Sequence, residues 1–168
     1  MGYAFGLTFG VAVGCAIVAL LFKKKVLDMT FDERQERARG KAFQYGFFAL
    51  MACVILYGVL ESVGLHWCDT LTGCTVCICI GLGVFAVSCI LNDAYLSLKE
   101  KPGKVMVTLA VIAALNLSIG AVHLTDGGLV EDGLLTIRAV NPICGVMVLV
   151  ILAVYGVNYL LGQREEAE

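Results

Sequence analysis

Polar and apolar positions along this chain come in blocks. Five stretches, at about 2–22, 42–63, 71–91, 105–124 and 142–161, carry no Asp, Glu, Lys or Arg near their middles. A hydrocarbon layer about 30 Å thick needs roughly 20 residues of helix at 1.5 Å each, so every stretch is long enough to cross it. Membrane strands would be about 10 residues long and alternating, and a backbone in lipid must satisfy its own hydrogen bonds. The stretches therefore predict helices. The fold class expected is an all-α membrane protein, a single transmembrane domain over 1–168 built as a bundle of five transmembrane helices.

The polar blocks add direction. Thr30-Phe31-Asp32-Glu33 reads as a capping box, with the Thr30 hydroxyl accepting from the Glu33 N–H and Glu33 reaching back. Glu33 with Arg37, and Glu36 with Arg39, have helical ion-pair spacing. These features predict one continuous helix from about 31 to 63, whose first turns form a cytoplasmic extension preceding the second span. Lys23, Lys24, Lys25, Arg34, Arg37, Arg39, Lys41, Lys99, Lys101, Lys104 and Arg164 fall on one side of the expected layer, and only Arg138 on the other. The positive-inside rule then puts the N-terminus outside and the C-terminus in the cytoplasm. The outer loops fit, since 64–70 lacks Lys and Arg while 125–141 holds Asp126, Glu131 and Asp132. The first apolar stretch starts at residue 2 with its lysines behind it, the reverse of a secretory signal.

Composition narrows the class. The chain of 168 residues is 60% hydrophobic and 15% charged, against about 25% charged in a soluble domain. A net charge of −2 offers no basic excess for phosphates, which argues against nucleic acid as a partner.

The basic lead into the second span has two readings. It is an orientation anchor that meets the anionic headgroups of the lipid bilayer, or a docking face on which Arg34, Arg37, Arg39 and Lys41 take a membrane or cytoplasmic protein partner. Here Asp32-Glu33-Arg34-Gln35, Arg39-Gly40-Lys41-Ala42, Tyr45 and Phe47-Phe48 carry a resemblance. Over about 31–60 the chain resembles small integral membrane proteins of Gram-positive bacteria, grouped in families of unknown function. The resemblance implies a bacterial plasma membrane location and no catalytic residues.

Gly2, Gly6, Gly10 and Gly14 form overlapping GxxxG steps, a strip on which another helix can approach closely. Gly73, Cys77 and Gly81 repeat the small-residue spacing on the third stretch and are expected to supply the facing surface. Packing within the chain is the favoured reading, with a homo-oligomer or heteromer seam second. Asn116, an amide in hydrocarbon, is expected to hydrogen-bond to another helix.

Candidate chemistry gathers at the outer end. Of eight cysteines, Cys15, Cys53, Cys79 and Cys89 sit in apolar runs as small hydrophobes. Cys74-Thr75-Val76-Cys77 is a CxxC, similar in placement to that of quinone-linked disulfide enzymes, with Cys68 and Cys144 as shuttle thiols. Nothing cationic lies near it to lower a thiol pKa. Glu61, His66, Cys68 and His123 are metal-type ligands without a familiar zinc spacing, so neither metal nor cofactor is expected. No charge lies at mid-depth to mark an ion route; Asn116, Ser118, Tyr155 and Asn158 are the polar groups there. The expected function is a non-catalytic interaction or regulatory partner in the plasma membrane. The alternatives are a thiol-disulfide oxidoreductase using Cys74 and Cys77, and a component of a small neutral-solute transporter.

Overall fold

The computed structural model describes residues 30–165. Helix α1 runs over Glu33–Ser62, α2 over Thr70–Leu91, α3 over Pro102–Thr125 and α4 over Val140–Glu165. Strands β1 (Val130–Glu131) and β2 (Leu134–Leu135) and a short 3-10 turn, Ile137–Ala139, join α3 to α4. Among the described residues the regular structure is helical apart from this hairpin. Glu33–Ser62, Thr70–Leu91, Pro102–Thr125 and Ile137–Leu161 are each long and apolar enough to cross a membrane, which marks a multi-pass membrane protein. The stretch 2–22, with Gly2, Gly6, Gly10 and Gly14, lies outside the described residues.

Local chemistry sets the helix starts. The capping box of α1 sits two residues beyond the one expected. Asp32 accepts from Gln35 N–H at 2.7 Å, and Gln35 Oε1 accepts from Asp32 N–H at 3.2 Å. Asp caps at least as well as Thr, and the Thr30 carbonyl is occupied by the Leu98 N–H at 3.0 Å, which keeps that segment extended. Asp69 caps α2 through Thr72 N–H, and Pro102 opens α3 at a first-turn position where its missing N–H costs nothing. The hairpin turns at Asp132 and Gly133, both with positive φ (52° and 79°), the two-residue geometry that matches strand twist.

The helices pack in the order α1, α2, α4, α3, so α2 and α4 are central and α1 and α3 flank them. Small residues allow the approach. A Cβ on Gly46 of α1 would lie 2.8 Å from the Gly81 carbonyl of α2, and one on Gly81 would lie 2.9 Å from Leu50 Cβ. Gly73 receives the Tyr57 ring. The small-residue face of α2 is thus covered by α1, the second apolar stretch, where the sequence pointed to the first. Between α3 and α4, Gly120 meets Pro142 and Gly145 meets Leu117. Ala86, Ile90 and Ile151 form a small core at the α2–α4 seam, with Tyr95, Leu109, Met147, Val154 and Tyr155 around it.

Candidate functional site

The antiparallel row gives the molecule two polar ends. One gathers the start of α1, the α2–α3 loop and the end of α4; with it come Arg34, Arg37, Arg39, Lys41, Lys99, Lys101, Lys104 and Arg164. The other gathers the α1–α2 loop and the hairpin, and carries Arg138.

At the basic end, helical periodicity sorts the side chains of α1 onto two faces. Gln35, Arg39, Ala42 and Gly46 follow one line, at about 100° per residue, and that line faces α2 and its following loop. Gln35 is buried; its Nε2 donates to the carbonyl of Asp93 at 2.8 Å and, more weakly, to that of Leu96 at 3.4 Å. One turn on, Arg39 Nη1 donates to the Ala94 carbonyl at 3.0 Å. Its guanidinium lies 4.1 Å from the Phe31 ring centroid and 5.5 Å from that of Phe85. A cation between two ring faces next to an anchored carbonyl is held by stacking as well as by hydrogen bonding. Arg39 therefore works as a clamp, and it bonds the loop instead of the expected Glu36. The loop it grips turns at Asp93, with φ of 53°, and burial pushes the hydroxyl of Tyr95 in it upward in pKa.

Arg34, Arg37 and Lys41 share the other face. With Glu33, Ala38 and the Asn92 cap of α2 they line an open groove of about 370 Å³. Arg37 pairs with Glu33 at 2.7 Å and Arg34 approaches Asp93 at 3.9 Å, both pairs well exposed. Exposed pairs of this kind contribute about 0–1 kcal/mol, so an incoming anion can displace them. Of the four cations expected to act together, three line the groove and Arg39 turns away.

The hairpin end is organised differently. Glu61 Oε2 and His66 Nδ1 lie 2.9 Å apart, and the Tyr57 ring meets Trp67 edge-on at 6.4 Å. Cys68 is buried, and burial is the main cause that pushes its thiol pKa up, away from the reactive thiolate. His123 pairs with Asp126 at 3.3 Å, and Asp126 also accepts from the Gly128 N–H at 2.9 Å. That backbone bond, then His123, holds the Asp126 carboxyl below the usual carboxylate range. His66 and His123 thus have separate partners. Among the described residues, no three His, Cys, Asp or Glu side chains converge where a metal could be held.

Cys74 is exposed and Cys77 buried, and both are free thiols, as are Cys68 and Cys144. Cys144 lies 3.9 Å from Cys79 across the α2–α4 seam, not with Cys68. Asn116 donates to Ile112 within its own helix at 2.9 Å while its Cβ packs near Gly145, so the expected interhelical bond is not made there. On a flanking helix the carbonyl four residues back supplies its partner. The amide that does bridge helices is Asn158, donating to the Ile90 carbonyl at 3.2 Å. The sequence reading missed Gln35, although its place three residues after Asp32 is a capping pattern that could have found it, whereas nothing in the sequence marked Asn158 over Asn116.

No family model, curated protein or solved structure matches the chain.

Proposed function

We propose that the protein is a non-catalytic interaction or regulatory partner of a bacterial plasma membrane, which recognises an anionic partner at its basic end. The observation that carries this reading is the division of labour along α1. Gln35 and Arg39 fix the helix start to the α2–α3 loop, and Arg34, Arg37 and Lys41 are thereby presented along a groove of fixed shape. A recognition surface benefits from being preorganised in this way. The bias of Lys and Arg toward one end supports a cytoplasmic location for it. With 2–22 as a fifth span, the N-terminus is outside and the C-terminus in the cytoplasm. The bacterial assignment rests on the resemblance over about 31–60.

Gentle detergent extraction followed by mass spectrometry tests the reading. A stoichiometric companion, protein or lipid, is expected with the native chain and lost with Arg34→Glu/Arg37→Glu. Recovery of nothing anionic with the native chain, or equal recovery with both chains, overturns it.

A further inference from the structure

We infer that the groove between the start of α1 and the end of α2 is a binding site for the phosphate of an anionic phospholipid, with the acyl chains lying down the outer face of α1. The inference rests on the reading of the basic end as a recognition surface, and names its ligand.

Four observations lead to a lipid. First, the lining holds three cations, Arg34, Arg37 and Lys41, against one carboxylate, Glu33, so the groove favours an anion. Arg supplies forked donors that match phosphate oxygens, and Lys a point charge. Second, the site lies at headgroup depth. Lys41 is the last cation before the apolar run that begins at Ala42, and Asn92 ends the apolar run of α2 beside it. A ligand seated there meets water on one side and hydrocarbon on the other. Third, the cationic face continues as an apolar one. Residues 34, 37, 38, 41, 45 and 48 follow a single helical stripe, and below Lys41 that stripe presents Tyr45 and Phe48, exposed by 57% and 67%. Aromatic rings directly beneath a phosphate-binding lysine give acyl chains a surface and place a tyrosine at the interface where it is favoured. Fourth, the groove is open and its internal ion pairs are exposed ones, so the cations can re-pair with a ligand without leaving a buried charge unpaired. A protein segment docking from the cytoplasm would use the upper part of the groove and would leave the Tyr45–Phe48 stripe without a role.

Native mass spectrometry of the delipidated full chain in detergent, titrated with phosphatidylglycerol, phosphatidylcholine or inorganic phosphate, tests this. Phosphatidylglycerol is expected to bind at a one-to-one ratio and phosphatidylcholine to bind at least about tenfold more weakly, since its own cation offsets the phosphate. Arg34→Gln/Lys41→Gln is expected to weaken phosphatidylglycerol by about 25-fold, a factor of about five for each cation removed. Lys101→Gln/Lys104→Gln, an equal change of charge at the same end but outside the groove, is expected to leave it nearly unchanged. Phe48→Ala is expected to weaken the lipid. Equal losses in the two double variants, equal binding of the two lipids, or displacement of phosphatidylglycerol by equimolar inorganic phosphate would each overturn the lipid assignment. If phosphatidylglycerol fails to bind while Arg34→Glu/Arg37→Glu still strips a protein companion, the lipid is wrong and the recognition surface stands. Loss of both results removes the surface as well.

Discussion

At the basic end, side chains close the bundle: Gln35 and Arg39 reach from α1 to carbonyls 55 to 61 residues away along the chain. At the hairpin end the backbone does the equivalent work. Leu135 N–H donates to the Trp67 carbonyl at 3.1 Å and Asp69 N–H to the Leu135 carbonyl at 2.8 Å, which zips the α1–α2 loop to β2. The polar side chains there pair mostly within a few residues, as Glu61 does with His66 and His123 with Asp126. The contrast teaches where mutation acts. A closure made by side chains can be removed one residue at a time, and a closure made by peptide groups tolerates side-chain change as long as its turn survives.

The largest effect is expected at Gln35. Gln35→Ala removes the cap bond to Asp32 and leaves the carbonyl of Asp93 without its donor, a loss of about 2–3 kcal/mol. Gln35→Glu keeps an acceptor for the Asp32 N–H but sets a buried carboxylate oxygen against the Asp93 carbonyl, so it should cost at least as much as Gln35→Ala. Thermal unfolding in detergent measures both. Arg39→Ala should follow at about 1.5–3 kcal/mol, from one charge-assisted bond and the ring stacking. Arg37→Ala, which removes only an exposed pair with Glu33, should cost about 0.5 kcal/mol or less. Equal losses at Arg37 and Arg39 would erase the distinction between groove and clamp.

Gly133 offers the matching test at the hairpin end. At φ of 79° a branched side chain is strained by about 1–2 kcal/mol, so Gly133→Val should open the hairpin and lower hydrogen-exchange protection of the Leu135 and Asp69 amides. Leu135→Ala keeps both amides bonded and should leave that protection close to native. If Leu135→Ala were the more damaging, side-chain packing and not backbone pairing would hold this end.

These expectations also show what the sequence could convey. Four of the apolar stretches correspond to helices within a few residues at most of their ends, because the length of an apolar run and its flanking caps are local properties. Asp69 and Pro102 are local signals of the same kind, though the start of neither helix was read from them. Partners across the fold were less legible. Gly73 and Gly81 were readable as close-approach positions, but which helix would approach depended on the order of the row and on Gly46, whose i, i+4 spacing with Ala42 was not read as a contact face. Asn116 and Asn158 are the same residue type in similar apolar runs, and only their places on a flanking and a central helix decide which amide crosses to a neighbour. The two faces of α1 were implicit in the numbering of its cations, since 34, 37 and 41 share a side that 39 does not. Telling the groove face from the one that bonds the fold depended on where the α2–α3 loop lies. The hairpin had a signal in Asp132-Gly133, a strong turn dipeptide within what otherwise read as a plain loop.

The smallest effect expected is a difference in how the two ends respond to acid. The Asp126 carboxyl is held below its ordinary range chiefly by the Gly128 N–H, with His123 adding to it. A carboxylate whose folded pKa is depressed contributes stability that is present above its unfolded pKa and is lost as pH falls through the folded one. Acid should therefore loosen the turn at Gly127–Gly128 first, below the ordinary carboxylate range. The uncharged bonds of Gln35 to Asp93 and Leu96 should persist there. The protection of the Gly128 amide, with the intrinsic pH dependence of exchange divided out, reports the step when followed against pH. Asp126→Asn keeps an oxygen acceptor for that amide and has no proton to gain, so its protection profile should be flat over the same range. A wild-type profile as flat as that of the variant would mean that the charge on Asp126 contributes nothing to the turn, and that the two ends differ only in side chain against backbone.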